Sequence, residues 1–495
     1  MPSLPPWHAE SFIPVREHHV FRSRRWLKIL FALGLVWLGS ALWQAYKPLP
    51  PGVDVTGPWR AAQEVSFLAD LTFVDAAGSR HSEQAIFDAA FAMIAQAERL
   101  IVLDMFLFND FAGAESASLR PLSSELSRAL LARMAQVPGL RVIVVTDPIN
   151  TVYGGVASPH LEALQMAGAQ VIQTDLAALR ASNPAWSGPW ALCCAWLGNR
   201  AAGGWLPNPF AAEKITLRSW LALPNFRANH RKTLIVDQGT GWQALVASAN
   251  PHDASSAHGN IALRFSGAAA LDLLQSEAAV AAFSGVPLHG LPAANAPPVS
   301  TGPRLRVLTE AAIARALIDT TDRAAPGDAL DVAVFYLAHR GLIAALKSAH
   351  ARGVNVRVLL DPNEDAFGRK KNGVPNRQVA RELVAAGIPV RWCDTHGEQC
   401  HAKLLLHRGR HDTTLIAGSA NFTRRNLDNL NLETSMQLVA GAGHPAIDDA
   451  LHWFELNWTN EPGRRFSTTY AHYQDDALLR RLWYRIGEAA GFSTW

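Results

Sequence analysis

His230-Arg231-Lys232-Thr233-Leu234-Ile235-Val236-Asp237, followed by Ser248-Ala249-Asn250, carries a His-x-Lys and Ser-x-Asn pattern that recurs once in this chain. His401-Ala402-Lys403 and Ser419-Ala420-Asn421 stand 171 positions later, as Asn431 stands 171 after Asn260. Each His lies 20 residues before the Asn of its Ser-x-Asn. A single His-x-Lys is usually structural, but two in one register with three polar sites are not a chance match. Residues i and i+2 of a strand face the same way, so His230 and Lys232 share a face and Arg231 points away. Thr233 to Val236, apolar and β-branched, suits a buried strand.

Working outward, the repeat extends over most of the chain. Leu100 to Phe108 pairs with Leu330 to Leu337 as apolar strands, each followed by a helical pattern, 122–134 and 341–351. LRVIVVTD (140–147) matches VNVRVLLD (354–361), and both strands end in Asp-Pro. Helices near 159–167 and 376–386 follow, then short strands at 168–172 and 387–391. This order predicts an α/β fold with parallel pairing. Asp147 and Asp361 are 214 apart, so the first half carries 43 extra residues before His230. The insertion, 174–228, holds five tryptophans and reads either as a packed loop or as a lid or membrane-dipping element beside the site.

Two imidazoles and two amines on facing strands would make a cationic pocket with acid/base capacity. Its natural ligand is a phosphate, clamped by Lys232, Lys403, Asn250 and Asn421 with Ser248 and Ser419 beside them. One His attacks phosphorus and forms a phosphohistidine. The other protonates the leaving alcohol and then activates the incoming water or alcohol. No His/Cys cluster has zinc spacing, so neither metal nor cofactor is expected.

His230-x-Lys232-x4-Asp237 with Ser248-x-Asn250 resembles the HKD motif of the phospholipase D superfamily, and His401-x-Lys403 with Gly418-Ser419-x-Asn421 resembles its second copy. DPNEDAFGRKKNGVPNR (361–377) and GSANFTRRNLDNLNLE (418–433) are similar to the bacterial cardiolipin-synthase-like branch. The resemblance spans about residues 70 to 460. It implies tandem repeats, each an α/β/α sandwich, sharing one active site. It implies a phosphodiesterase or phosphatidyltransferase of phospholipids such as phosphatidylglycerol, with water or alcohol as acceptor. Hydrolysis to phosphatidic acid, a nuclease of the same superfamily, and a catalytically idle lipid-binding protein are the alternatives. The second motif departs from the pattern: Arg408 stands where its Asp belongs. Asp237 is expected as a structural acceptor at the strand end. Glu433, 32 residues after His401, is the acid that family members use to orient the histidine, and the first half has Ala262 there. A carboxylate on Nδ1 fixes the tautomer and raises basicity, so His401 is expected as nucleophile and His230 as general acid/base.

WLKILFALGLVWLGSALWQAY (26–46) carries one charge, Lys28, and is long enough to cross a bilayer. Arg22, Arg24 and Arg25 precede it, which places a tail (1–25) in the cytoplasm of a bacterium and the rest beyond the inner membrane. A cleaved signal peptide ending near Gly39-Ser40-Ala41 is the alternative. Residues 47–65 read as a stiff linker, 66–295 as the first phospholipase D-like domain and 296–495 as the second. The 495 residues carry 45 Lys+Arg against 42 Asp+Glu, a weaker basic excess than a nucleic-acid partner requires. Sixteen tryptophans favour a lipid interface, and oligomeric state is not legible.

Four further features stay open. Asp147 and Asp361 either cap turns or line the pocket mouth. Arg369-Lys370-Lys371 is a solvated loop or a head-group contact. Cys393 and Cys400 either pair beyond the membrane or stay as thiols, a choice that spacing alone does not make. The amphipathic stretch 478–486 either packs on the core or lies on an anionic bilayer.

Overall fold

The computed structural model describes residues 18–111, 119–366 and 369–491, with side chains from Arg25 onward. The expected tail therefore lies largely outside the described residues, as do the side chains of Arg22, Arg24 and Arg369.

Two nine-stranded mixed sheets form the body. In the first, Leu100–Met105, Arg141–Thr146 and Gln170–Gln173 are parallel neighbours. Lys232–Asp237, Trp242–Ala247, Asn260–Ser266 and Gln63–Asp75 continue it antiparallel. The second repeats the plan: Ala329–Val334, Asn355–Leu360 and Val390–Cys393 run parallel, and Lys403–Arg408, Thr413–Gly418, Thr434–Ala440 and Arg304–Thr309 run antiparallel. The parallel half of the expectation holds; the motif strands themselves are antiparallel.

Strand alternation explains the layering. Val102, Ile143 and Ile235 face Leu404, Leu406, Leu415 and Met436 in one core between the sheets, joined by Leu273 and Leu274 of helix Ala268–Phe283 and Trp453 and Phe454 of helix Pro445–Thr459. Ile101, Leu103 and Leu234 face the other way, onto helices Ile86–Gln96 and Leu122–Gln136. Leu330, Val332 and Val334 do the same against Ala311–Arg323 and Arg340–Ala351.

Residues 47–65 are not a free linker. Arg60–Ala61 adds an edge strand to the second sheet, and Gly57 N donates to Val307 O at 2.8 Å. The chain end crosses between the sheets in the same way: Arg464–Arg465 pairs with the first and Ser467–Thr469 with the second.

Helix His18–Tyr46 is, from Arg25 on, long and apolar enough to cross a membrane, and none of its most apolar window is buried in the protein. Its last turns rest on the insertion. Trp37 Nε1 donates to Ala185 O and Ser40 Oγ to Gly188 O, both at 2.9 Å. Gly188 permits this approach, because a Cβ there would lie 2.8 Å from Ala41 N.

Candidate functional site

In each sheet the antiparallel motif strand places its His end at the carboxyl ends of the parallel strands: Lys232 pairs with Met105, and Lys403 with Val334. Ligand sites of α/β sheets form at that edge. Lys232 Nζ donates to His230 O at 2.7 Å and stands 4.8 Å over the Phe106 ring, which also packs 4.7 Å from His230. Lys403 Nζ donates to His401 O at 2.6 Å and stands 5.5 Å over Phe335, itself 5.2 Å from His401.

Asp147 and Asp361 fix the backbone just before each histidine. Asp147 accepts from Ile149 N and, through Oδ2, from Asn229 N, each at 2.7 Å. Asp361 accepts from Asn363 N at 2.7 Å and, through Oδ2, from Cys400 N at 2.8 Å. They cap turns, as one of the two readings had it, and also anchor the motif. Burial pushes both carboxyls up to about 7. Cys400 is disulfide-bonded to Cys393.

The two halves are stitched together at the histidines. His230 N donates to Leu432 O at 2.9 Å, and His401 N donates to Gly259 O at 2.7 Å. The ring contacts cross over accordingly. Glu433 lies 2.9 Å from Nδ1 of His230, not of His401. His401 Nδ1 instead faces Asn260 Oδ1 at 3.1 Å. This overturns the expectation that Glu433 serves the histidine of its own half: the stretch after each Ser-x-Asn returns to the opposite sheet's motif. An acceptor at Nδ1 leaves Nε2 of each ring with its lone pair outward.

Glu433 is fixed by Ser419 Oγ and Asn426 Nδ2, and its N–H donates to Glu310 Oε1 at 3.0 Å. Arg231, turned to the opposite face as its position predicts, reaches the same Glu310 oxygen at 2.7 Å and Ser276 Oγ at 2.8 Å. Ser248 Oγ donates to Asn260 Oδ1 at 3.1 Å and accepts from Ile261 N. Ser248 and Ser419, expected at the phosphate, are therefore fully buried braces for the groups that hold the rings. Asn250 Oδ1 accepts from Leu107 N at 3.3 Å, and Asn421 Oδ1 is buried without a hydrogen-bond partner.

Asp237 lies at the far end of its strand, where it accepts from Arg99 N, Leu100 N and Arg99 Nε at 2.7 to 2.8 Å. That is the structural acceptor expected of it, remote from the histidines. In the second half Arg408 faces an acid from the neighbouring strand, Asp331, at 3.5 Å, which Arg357 also pairs at 2.7 Å.

Electrostatics bind the four basic groups into one neighbourhood. Burial lowers His230 to about 4, with Glu433 opposing and Lys232 and Lys403 adding to the fall. His401 falls well below its ordinary value by burial, then by Lys403, His258, Lys232 and His230. Lys232 is lowered to about 7 by burial, and Lys403 is held well below its usual range by burial and by Lys232. Each half thus feels the other's charges, and a bound anion would relieve all four. Sequence reasoning missed Asn260 as a ring partner, although it had marked the register, and missed Arg231–Glu310 and His258, whose ring stands 5.8 Å from His401. Among the described residues no acidic, His or Cys group is arranged to hold a metal ion.

Residues 317–458 match the family model "Cardiolipin synthase, PLD-like domain". The fold is similar to that of the phosphatidylserine synthase of Haemophilus influenzae Rd KW20, at 10% identity and TM-score 0.56, covering 88% of this chain and 96% of that one. A phospholipase D family member, Nuc of Salmonella typhimurium, aligns at 19% identity over 33% of this chain and 97% of its own, with TM-score 0.26. No curated protein matches the chain.

Proposed function

We propose that this chain, which belongs to the phospholipase D superfamily, is a membrane-anchored phosphatidyltransferase or phosphodiesterase of phospholipids, with one site built by both halves. The observation that carries it is the crosswise support of two Nε2-presenting histidines beside two buried lysines.

His230 is the nucleophile, the reverse of the roles expected from the place of Glu433 in the sequence. Its Nδ1–H points at a carboxylate, so the positive ring that forms when Nε2 bonds to phosphorus is stabilised by Glu433. His401 is backed only by a neutral amide oxygen and acts as general acid, then base. Burial keeps it unprotonated in the empty site, and the negative phosphodiester draws a proton onto it. In the first step the His230 Nε2–P bond forms, the P–O bond of the leaving alcohol breaks, and His401 delivers its proton to that oxygen. In the second, His401 takes the proton of water or an alcohol, whose oxygen displaces His230 from phosphorus. Lys232, Lys403, Asn250 and Asn421 hold the phosphoryl oxygens.

The lipid assignment rests on the apolar helix Arg25–Tyr46, read here as a single span with the site on the periplasmic side, and on the likeness to a lipid synthase domain. Phosphatidylglycerol supplied with and without an alcohol acceptor, beside a plasmid control, tests it. Lipid turnover is expected; plasmid cleavage without lipid turnover would replace this reading with a nuclease.

A further inference from the structure

The C-terminal helix Leu478–Ala490 turns its apolar side outward. Leu478, Leu479, Leu482, Trp483 and Ile486 are 49 to 82% exposed. Tyr484, Gly487 and Glu488, on the opposite side, are the residues it buries. Tyr484 Oη meets Arg340 at 3.1 Å, and Glu488 Oε1 accepts from Arg424 N at 3.1 Å, three residues past Asn421. Of the two sequence readings, core packing therefore fails for the apolar stripe: the polar side packs, and the leucines and tryptophan face away from the protein.

A second exposed surface lies on the insertion. No charge occurs from Ala181 to Asn199, and helix Pro184–Cys193 runs beside the span, contacting it from Trp37 to Ala41. Trp37 is about 14 Å along the helix from Tyr46, at 1.5 Å per residue. If Tyr46 marks the outer interface, Ala185 and Gly188 lie at lipid depth, and the exposed Leu192, Trp196 and Leu197 follow them toward the interface. The two surfaces meet. The C-terminal helix ends at Gly491, where a Cβ would collide with Ser182 O, and the adjoining Ala181 N donates to Gln44 O at 2.9 Å. The amphipathic helix is thereby tethered at the level where the span leaves the bilayer.

We infer that helix Leu478–Ala490 and the insertion segment 184–197 form one membrane-docking face whose occupant is the outer leaflet of an anionic bilayer. The apolar stripe enters the acyl boundary, and Arg481 and Arg485 on its flank sit among lipid phosphates. Aromatic rings at 196 and 483 suit that depth. The consequence is orientation: Arg424, three residues past Asn421, is fixed relative to the membrane by the helix that packs on it, which presents the site's rim to the lipid surface.

The face rests on reading Arg25–Tyr46 as a span, and the test separates the two. Spin labels are placed one at a time at Leu33→Cys, Leu197→Cys, Leu479→Cys, Arg480→Cys and Leu482→Cys in the full chain, unreduced, so that the native cysteines, bonded as Cys193–Cys194 and Cys393–Cys400, stay silent. The protein is reconstituted in nanodiscs of phosphatidylethanolamine and phosphatidylglycerol, and access to oxygen and to a water-soluble nickel chelate is compared. Labels at 33, 197, 479 and 482 are expected to favour oxygen and the label at 480 to favour nickel. Nickel access at 479 and 482 equal to that at 480, with 33 in lipid, overturns the docking face alone. A label at 33 in water overturns the span and the face together.

Discussion

Replacing Glu433 by Gln removes one charge at a site where everything else is held in place. The carboxylate is 2.9 Å from His230 Nδ1, and both groups are buried. The amide keeps the acceptor and hence the tautomer, but it no longer balances the cationic ring formed on phosphorylation. With an effective dielectric of about 20 and charge centres about 4 Å apart, that pairing is worth about 4 kcal/mol, or about a thousandfold in rate. One of the two donors to Glu433, Ser419 Oγ or Asn426 Nδ2, will face an amide NH2, at about 1–3 kcal/mol of stability. The variant should therefore fold with a modestly lower melting point. Its phosphoenzyme should form about a thousandfold more slowly from a labelled phosphodiester whose leaving group needs no protonation. Asn260→Ala, which removes a neutral hydrogen bond to His401, should slow that activated reaction little and slow the natural leaving group about tenfold. The assay is single-turnover labelling, with the modified residue identified by peptide mapping. Label on His401, or a Glu433→Gln enzyme that labels at the wild-type rate, would refute the assignment of His230 as nucleophile.

Four further outcomes are expected. Lys232, lowered to about 7 by burial, is charged below that pH and neutral above it, so kcat/KM should decline as pH rises through about 7; a flat profile there would remove Lys232 from substrate binding. Asp361→Ala leaves the Cys400 and Asn363 amides without their acceptor, and denaturant titration should show a loss of about 2–4 kcal/mol; a loss below about 0.5 would mean that this carboxylate does not anchor the motif. Arg231→Met strands Glu277 and Glu310 in the interior and should destabilise the fold by about 3–5 kcal/mol, measured the same way; an unchanged midpoint would contradict the bracing described for Glu433. The periplasmic placement predicts that Cys393 and Cys400 are recovered as one disulfide-linked peptide from cells quenched with alkylating reagent, and two alkylated thiols would argue for the reducing side.

Local order was legible in the order of residues alone. Apolar runs of strand length separated by helical periods fixed the three parallel strands of each half. The alternation at His230, Arg231 and Lys232 fixed which side chains share a face, and the 171-residue register fixed which groups correspond. Which partner each ring receives was settled by the packing of the two halves. Glu433 follows His401 in its own half, yet the turn after each Ser-x-Asn is hydrogen-bonded to the opposite motif, so the carboxylate lands on His230 and Asn260 lands on His401. No periodicity records contacts between segments 203 and 141 residues apart. The same holds for Ser248 and Ser419, whose hydroxyls turn inward to brace Asn260 and Glu433, and for Leu478–Ala490, whose pattern is amphipathic whichever side it buries. Spacing specifies direction along one element; the packing of elements specifies what lies in that direction.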